Sequence, residues 1–148
     1  MCGFIVSFNS KDISYNFSDV LSSMVHRGPD YSSLKEFGGH RFGHVRLSIT
    51  DPSNASHQPF ESLCGRYLLL FNGEIYNYKE LRNQLNRTWN FRTSGDTEVL
   101  LAGLVSEGVS FIRKCRGPFA FVLYDHQEAE AYLGRDRFGE KPLYFANS

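Results

Sequence analysis

The second residue of the chain is a cysteine, Cys2, directly behind the initiator Met1. A small second residue is the usual condition for removing the methionine. Removal leaves Cys2 with a thiol and a free α-amine, a nucleophile together with a base that can take its proton, directly or through one water. An α-amine titrates near ~7.7–8.0 and a free thiol near ~8.5, so a useful fraction of the amine is neutral at cytosolic pH. By position alone Cys2 reads equally as a small buried residue opening a strand, because free cysteine is among the most buried types.

Further polar segments bear on that choice. They are His26-Arg27-Gly28-Pro29-Asp30, Arg46-Leu47-Ser48-Ile49-Thr50, Asn72-Gly73-Glu74-Ile75-Tyr76-Asn77 and Ser94-Gly95-Asp96-Thr97-Glu98. Each alone has a plain reading: Asn-Gly is a turn signal, an Asp before a helix is an N-cap, and one Arg in a strand is a solvated face. Taken with Cys2 and with Gly134-Arg135-Asp136-Arg137-Phe138-Gly139-Glu140-Lys141-Pro142, they make a pattern. The chain resembles the class II glutamine amidotransferase domain, specifically the glutaminase half of asparagine synthetases. Met-Cys-Gly at the start, HRGPD at 26–30, RLSI at 46–49, NGEIYN at 72–77, SGDTE at 94–98, FAF at 119–121 and GRDRFGEKPLY at 134–144 stand in family order.

The resemblance implies a four-layer αββα N-terminal-nucleophile sandwich, of α+β class, in which Cys2 attacks the side-chain carboxamide of L-glutamine. Ammonia leaves, and water hydrolyses the γ-glutamyl thioester. Asn72, through its side-chain amide, and Gly73, through its backbone N–H, match the oxyanion hole. Arg46 matches the residue that grips the substrate α-carboxylate, Asp96 the partner of its α-ammonium, and Glu74 lies beside Asp96. Leu47, Ser48, Ile49 and Thr50 would line the opposite wall through their backbone. A zwitterionic amino acid needs one fixed cation and one fixed anion, and Arg46 and Asp96 supply them. Arg27 belongs to a loop that, in the family, lies near the glutamine site and helps order it. His26, His40, His44 and His57 have no part in a mechanism that uses the terminal amine. Cys64 and Cys115 read as bystanders.

The chain departs from the family pattern in two respects. Pro118 stands before FAF where a larger apolar residue is usual; lacking an N–H, it predicts that strand pairing starts at Phe119. No pyrophosphatase loop of the SGGxDS kind occurs in the 148 residues. ATP and Mg would therefore belong to a synthetase domain or subunit outside this chain, which would accept the ammonia. No cofactor or metal is expected within residues 1–148, read as one incomplete glutaminase domain. Two rivals remain open: a remnant that keeps the fold and binds glutamine or a partner without catalysis, and an N-terminal-cysteine hydrolase acting on another amide. Retention of Cys2, Arg46, Asn72 and Asp96 together argues against the first. The Arg46/Asp96 pair argues against the second.

Bulk properties agree with this. Sixteen basic and sixteen acidic side chains give a formal net charge of zero, so nothing marks the chain for nucleic acid or an anionic membrane. Apolar runs are strand-sized and too short to span a bilayer. Three dispersed cysteines with no signal peptide suggest reduced thiols and a cytoplasmic protein.

The elements that must position these residues follow from periodicity and punctuation. Gly3–Phe8 reads as a first strand, and Ser18-Asp19 as the cap of a helix carrying Val20, Leu21, Met24 and Val25. His40–Ile49 and Arg66–Phe71 read as strands, the latter ending in an Asn72-Gly73 turn. Asn77–Glu80 resembles a capping box before a helix whose inner face is Leu81 and Leu85. A polar link leads to a helix through Val99–Val105 that Gly108 stops. Phe119–Tyr124, Ala131–Arg135 and Leu143–Phe145 read as closing strands. With an apolar strand as its last element, the chain is expected to be a truncated form of a longer domain.

Overall fold

The computed structural model describes residues 1–9, 16–49, 51 and 53–146; Thr50, one of the expected wall residues, lies outside them. Two antiparallel sheets form the centre. In the first, β1 (Gly3–Ser7) and β2 (Tyr31–Phe37) flank β3 (His40–Arg46). In the second the order is β4 (Phe60–Glu61), β5 (Tyr67–Gly73), β6 (Phe119–Asp125) and β7 (Glu130–Arg135).

Alternation along β5 shows how the sheets stack. Leu68 and Leu70 point one way, into a cluster with Phe42, Val122 and Tyr124 that fills the space between the sheets, with Phe4 and Val6 of β1 packed against it. Leu69 and Phe71 point the other way, joining Phe119, Phe121 and Leu123 beneath α2 (Tyr78–Leu85) and α3 (Asp96–Glu107). Both faces of the sheet are covered, so the strand is apolar at every step from Leu68 to Phe71, without polar alternation. On the outer face of the first sheet, Phe17 and Leu21 of α1 (Phe17–Ser23) lie over Gly43. The layers are therefore α1, sheet, sheet, α2 with α3: the αββα sandwich.

Several local expectations change. The cap of α1 is Asn16, whose Oδ1 accepts the Ser18 N–H at 3.1 Å. Ser18 and Asp19 fall inside the first turn, because starting at Phe17 buries that ring. The helix ends at Ser23, leaving Met24 and Val25 beyond it. Asn77 caps α2 by position only: its Nδ2 donates to the Lys114 carbonyl at 3.0 Å and its Oδ1 accepts the Arg116 N–H at 2.9 Å. Asn72-Gly73 is no turn but the end of β5, paired with Ala120 and Phe119. Leu143–Phe145 forms no strand, and Tyr144 and Phe145 are exposed. β6 does begin at Phe119, after Pro118.

Register carries the chemistry-bearing residues to one end of the sandwich. Gly3 pairs with Val45, which sets Cys2 beside Arg46 at the end of β3. Asn72 and Gly73 lie at the end of β5 in the facing sheet, and Asp96 opens α3. Among the described residues no helix is long and apolar enough to cross a membrane.

Candidate active site

Cys2 is half-buried, with its sulfur over the backbone of Leu47: the Leu47 N–H points at Sγ from 3.4 Å, and the Leu47 carbonyl lies 3.7 Å away. Arg27 donates from Nε to the Cys2 carbonyl at 3.1 Å, fixing the main chain behind the thiol. The HRGPD segment clamps the other side. Asp30 donates its N–H to the Arg46 carbonyl at 3.1 Å and accepts the Ser48 N–H at 2.7 Å. Gly28 permits this closeness, since a Cβ there would fall 2.4 Å from the Arg46 nitrogen.

A cavity of about 230 Å³ opens beside Cys2. That is below the ~300–1,000 Å³ of drug-sized sites, the scale of a small metabolite. Of the expected residues, Cys2, Arg46, Leu47, Ile49, Asn72, Gly73, Glu74 and Asp96 all line it. Ser48 does not; its N–H is turned to Asp30. Residues that sequence reasoning missed also line it, among them Asp51, Ser56, Gln58, Tyr76 and Lys141.

Arg46 is buried at 5 % exposure. Its Nη1 donates to the Ser53 carbonyl at 2.9 Å and its Nη2 to the Asp51 carbonyl, both neutral acceptors. Among the described residues no carboxylate pairs with it. Asp96, equally buried, accepts the Ile75 N–H at 2.9 Å and likewise meets no cation there. Burial pushes its carboxyl up to about 6, against the Ile75 hydrogen bond, and neighbouring Glu74 adds to the rise. An unpaired buried charge is costly. The cavity therefore carries one cation and one carboxyl, neither met by an opposite charge among the described residues.

The link before α3 is held from inside the helix. Glu98, almost fully buried, accepts from Trp89 Nε1 at 3.2 Å, from the Thr93 N–H at 2.7 Å and from the Thr93 hydroxyl at 2.7 Å. That fixes the approach to Asp96.

The end of β5 leaves hydrogen-bond donors outside the ladder. The Phe71 N–H donates to Gln58 Oε1 at 2.6 Å on one edge, and the Glu74 N–H to the Pro118 carbonyl at 2.9 Å on the other. Strand alternation then turns the Gly73 N–H away from β6. The Asn72 side chain, buried at 6 % exposure, makes no hydrogen bond among the described residues and lines the cavity.

His44, Cys64 and Cys115 do not line this cavity. His44 bridges the sheets, its Nε2 lying 3.4 Å from the Phe71 carbonyl, and burial pushes the imidazole down to about 4, so it is neutral. Burial pushes the Cys115 thiol up to about 12. Cys64 is exposed, and a hydrogen bond with the Ser62 hydroxyl lowers its thiol. Among the described residues no group of acids, histidines and cysteines could hold a metal.

Two face-to-face antiparallel sheets between helical layers, with a cysteine at the head of the first strand, define the N-terminal-nucleophile class of hydrolase fold. Residues 1–148 match the family model for the glutamine amidotransferase domain, and the chain belongs to that family. It is 45 % identical over 134 residues to a putative glutamine-hydrolysing asparagine synthetase of Mycobacterium tuberculosis, covering 83 % of this chain and 20 % of that protein. Against the glutamine-hydrolysing asparagine synthetase 1 of Bacillus subtilis it is 39 % identical over 152 residues, covering 98 % of this chain and 24 % of the relative. Among solved structures, glutamine phosphoribosylpyrophosphate amidotransferase of Bacillus subtilis superposes with a TM-score of 0.54 at 27 % identity, over 66 % of this chain and 23 % of that one. The chain thus spans between a fifth and a quarter of the length of these curated relatives.

Proposed function

We propose that the chain, with Met1 removed, hydrolyses L-glutamine to glutamate and ammonia at Cys2. The observation that carries this reading is the buried, unpaired Arg46 and Asp96 on one cavity with the Cys2 thiol at its wall. Arg46 binds the α-carboxylate and Asp96 the α-ammonium, leaving the carboxamide to reach Cys2. The Cys2 amine takes the thiol proton as sulfur attacks the amide carbon. The oxyanion is met by the Asn72 amide and the Gly73 N–H. The protonated amine then gives its proton to the leaving ammonia. Water, deprotonated by the same amine, attacks the thioester and releases glutamate, regenerating the thiol.

These steps need no metal or cofactor. The ammonia passes to a synthetase domain or subunit of the asparagine-synthetase kind, where ATP and Mg belong. The similarity to glutamine-hydrolysing asparagine synthetases supports that assignment of the acceptor. A cytoplasmic setting suits a mechanism built on a reduced thiol, and Cys2, Cys64 and Cys115 are all unpaired.

The test is ammonia release from L- and D-glutamine by protein whose N-terminus is defined by intact mass. Processed protein turns over the L-isomer alone. Protein retaining Met1, in which the amine is an amide, is inactive; equal activity in both forms would sink the proposed base. A protein that binds L-glutamine but releases no ammonia would favour the non-catalytic remnant.

A further inference from the structure

The two charges of the substrate clamp come from different parts of the fold. Arg46 ends β3 in the first sheet, whereas Asp96 opens α3 in the helical layer beyond the second. A fixed distance between them needs a physical tie, and Asp51 supplies one. Its main-chain carbonyl accepts from Arg46 Nη2. Its carboxylate accepts the Ser53 N–H at 2.9 Å through Oδ1, and both the Ser94 N–H at 2.9 Å and the Ser94 hydroxyl at 3.0 Å through Oδ2. Ser94 leads through Gly95 into Asp96, and the Gly95 backbone packs so closely that a Cβ there would lie 3.2 Å from Asp51 Cβ. The Ser53 carbonyl in turn holds Arg46 Nη1.

Two details set this apart from ordinary loop packing. The Asp51 carboxylate is directed at backbone and hydroxyl donors and forms no ion pair with Arg46, so the arginine is held by carbonyls and its charge stays available. Burial raises the Asp51 carboxyl, but hydrogen bonds from Ser53 and Ser94 outweigh it and hold the group well below the usual carboxylate range. Asp51 is therefore ionised wherever Asp96 titrates. Bonds from N–H and O–H donors to an ionised carboxylate are the stronger class.

We propose that Asp51 is a positioning residue that sets the spacing of Arg46 and Asp96, and through it the demand for a ligand carrying both an α-carboxylate and an α-ammonium. This rests on the glutaminase reading above. The variant Asp51→Asn keeps size but puts an NH₂ donor where one of the two oxygens accepted, so either Ser53 or Ser94 loses its partner. Ser94→Ala removes only the hydroxyl donor and keeps the backbone N–H.

The experiment compares kcat/KM for L-glutamine with that for glutaramate, which lacks the amine, and for 4-aminobutanamide, which lacks the carboxylate. Asp51→Asn is expected to raise KM for L-glutamine about tenfold, with a smaller change in kcat, and to cut the preference for L-glutamine over both analogues about tenfold. Ser94→Ala moves both quantities the same way by less, and carries the test if Asp51→Asn does not fold. Alkylation of Cys2 by iodoacetamide stays at the wild-type rate in both variants. A loss that is parallel for all three amides, or a preference unchanged in both variants, overturns the inference while leaving the glutaminase reading intact. A wild-type protein that neither binds nor hydrolyses L-glutamine overturns both.

Discussion

A Cβ placed on Gly73 would lie 2.3 Å from the carbonyl oxygen of Pro118. That carbonyl already accepts the Glu74 N–H at 2.9 Å, so neither strand can retreat without breaking the end of the β5–β6 ladder. Glycine is required at position 73 by close approach, and Pro118, which lacks an N–H, contributes to the ladder through its oxygen alone.

Gly73→Ala should therefore harm stability and catalysis together. Overpacking of this kind costs about 1–3 kcal/mol. The displaced N–H and the adjoining Asn72 would also lower kcat more than they change KM. Urea denaturation and steady-state kinetics on the same preparation check both. A Gly73→Ala protein with wild-type midpoint and kcat would show that the strand end is looser than its geometry indicates.

Asn72→Ala and Arg46→Lys should separate the transition state from the ground state. Losing one oxyanion donor lowers kcat by roughly 10²–10³-fold. Lysine keeps the charge of Arg46 but cannot hold the carbonyls of Asp51 and Ser53 while presenting a planar fork, so its effect falls chiefly on KM. Steady-state kinetics on the two variants measure the split. The reverse pattern would exchange the roles given to the pocket and the oxyanion hole.

What the sequence revealed and what it hid divide along a physical line. Cys2, Arg46, Asn72 and Asp96 would act with their own side chains, so residue type and motif order were signal enough to find them. Asp51 and Gln58 act by holding backbone, at Ser53 and Ser94 in one case and at Phe71 in the other. Such residues look like any loop Asp or Gln until the chain is folded around them. β2 escaped notice for a related reason: Tyr31–Phe37 is an edge strand with no buried residue, so it lacks the apolar alternation that marks a half-buried strand. Leu143–Phe145 misled in the opposite sense, an apolar run with no partner strand, in which Tyr144 is 90 % exposed. Asn72-Gly73 carries a turn signature, but close approach to Pro118 uses its glycine within a strand.

The three thiols should react in different ways. Iodoacetamide needs thiolate and access. Exposed Cys64, with its lowered thiol, and half-buried Cys2 should both be modified, while Cys115, pushed up to about 12, reacts slowly. An electrophilic glutamine analogue, 6-diazo-5-oxo-L-norleucine, should label Cys2 alone, because only that thiol lies on the cavity with Arg46 and Asp96. Excess L-glutamine should block that labelling. Peptide mapping that finds Cys64 or Cys115 carrying the analogue first would move the nucleophile elsewhere.

The pH dependence of binding should report Asp96. To hold an ammonium the carboxyl must be ionised, and in the free protein it sits at about 6 against an ordinary 3.8. As pH falls through 6 the empty site takes up a proton, and L-glutamine, whose own α-ammonium keeps its charge, binds progressively more weakly. Calorimetry on Cys2→Ala, which cannot turn over, isolates this from the amine of Cys2. Asp96→Asn in that background should bind weakly throughout and lose the inflection. Stability should move the other way. A carboxyl raised in the folded state binds its proton more tightly there than in the unfolded chain, so its contribution grows as pH falls from about 6 toward 3.8. His40, His44 and His57, all lowered, act oppositely in that range, and comparing wild type with Asp96→Asn cancels them. Binding that shows no inflection near 6, or an Asp96→Asn protein that retains it, would remove Asp96 from the ammonium site and leave Glu74 as the acid to examine.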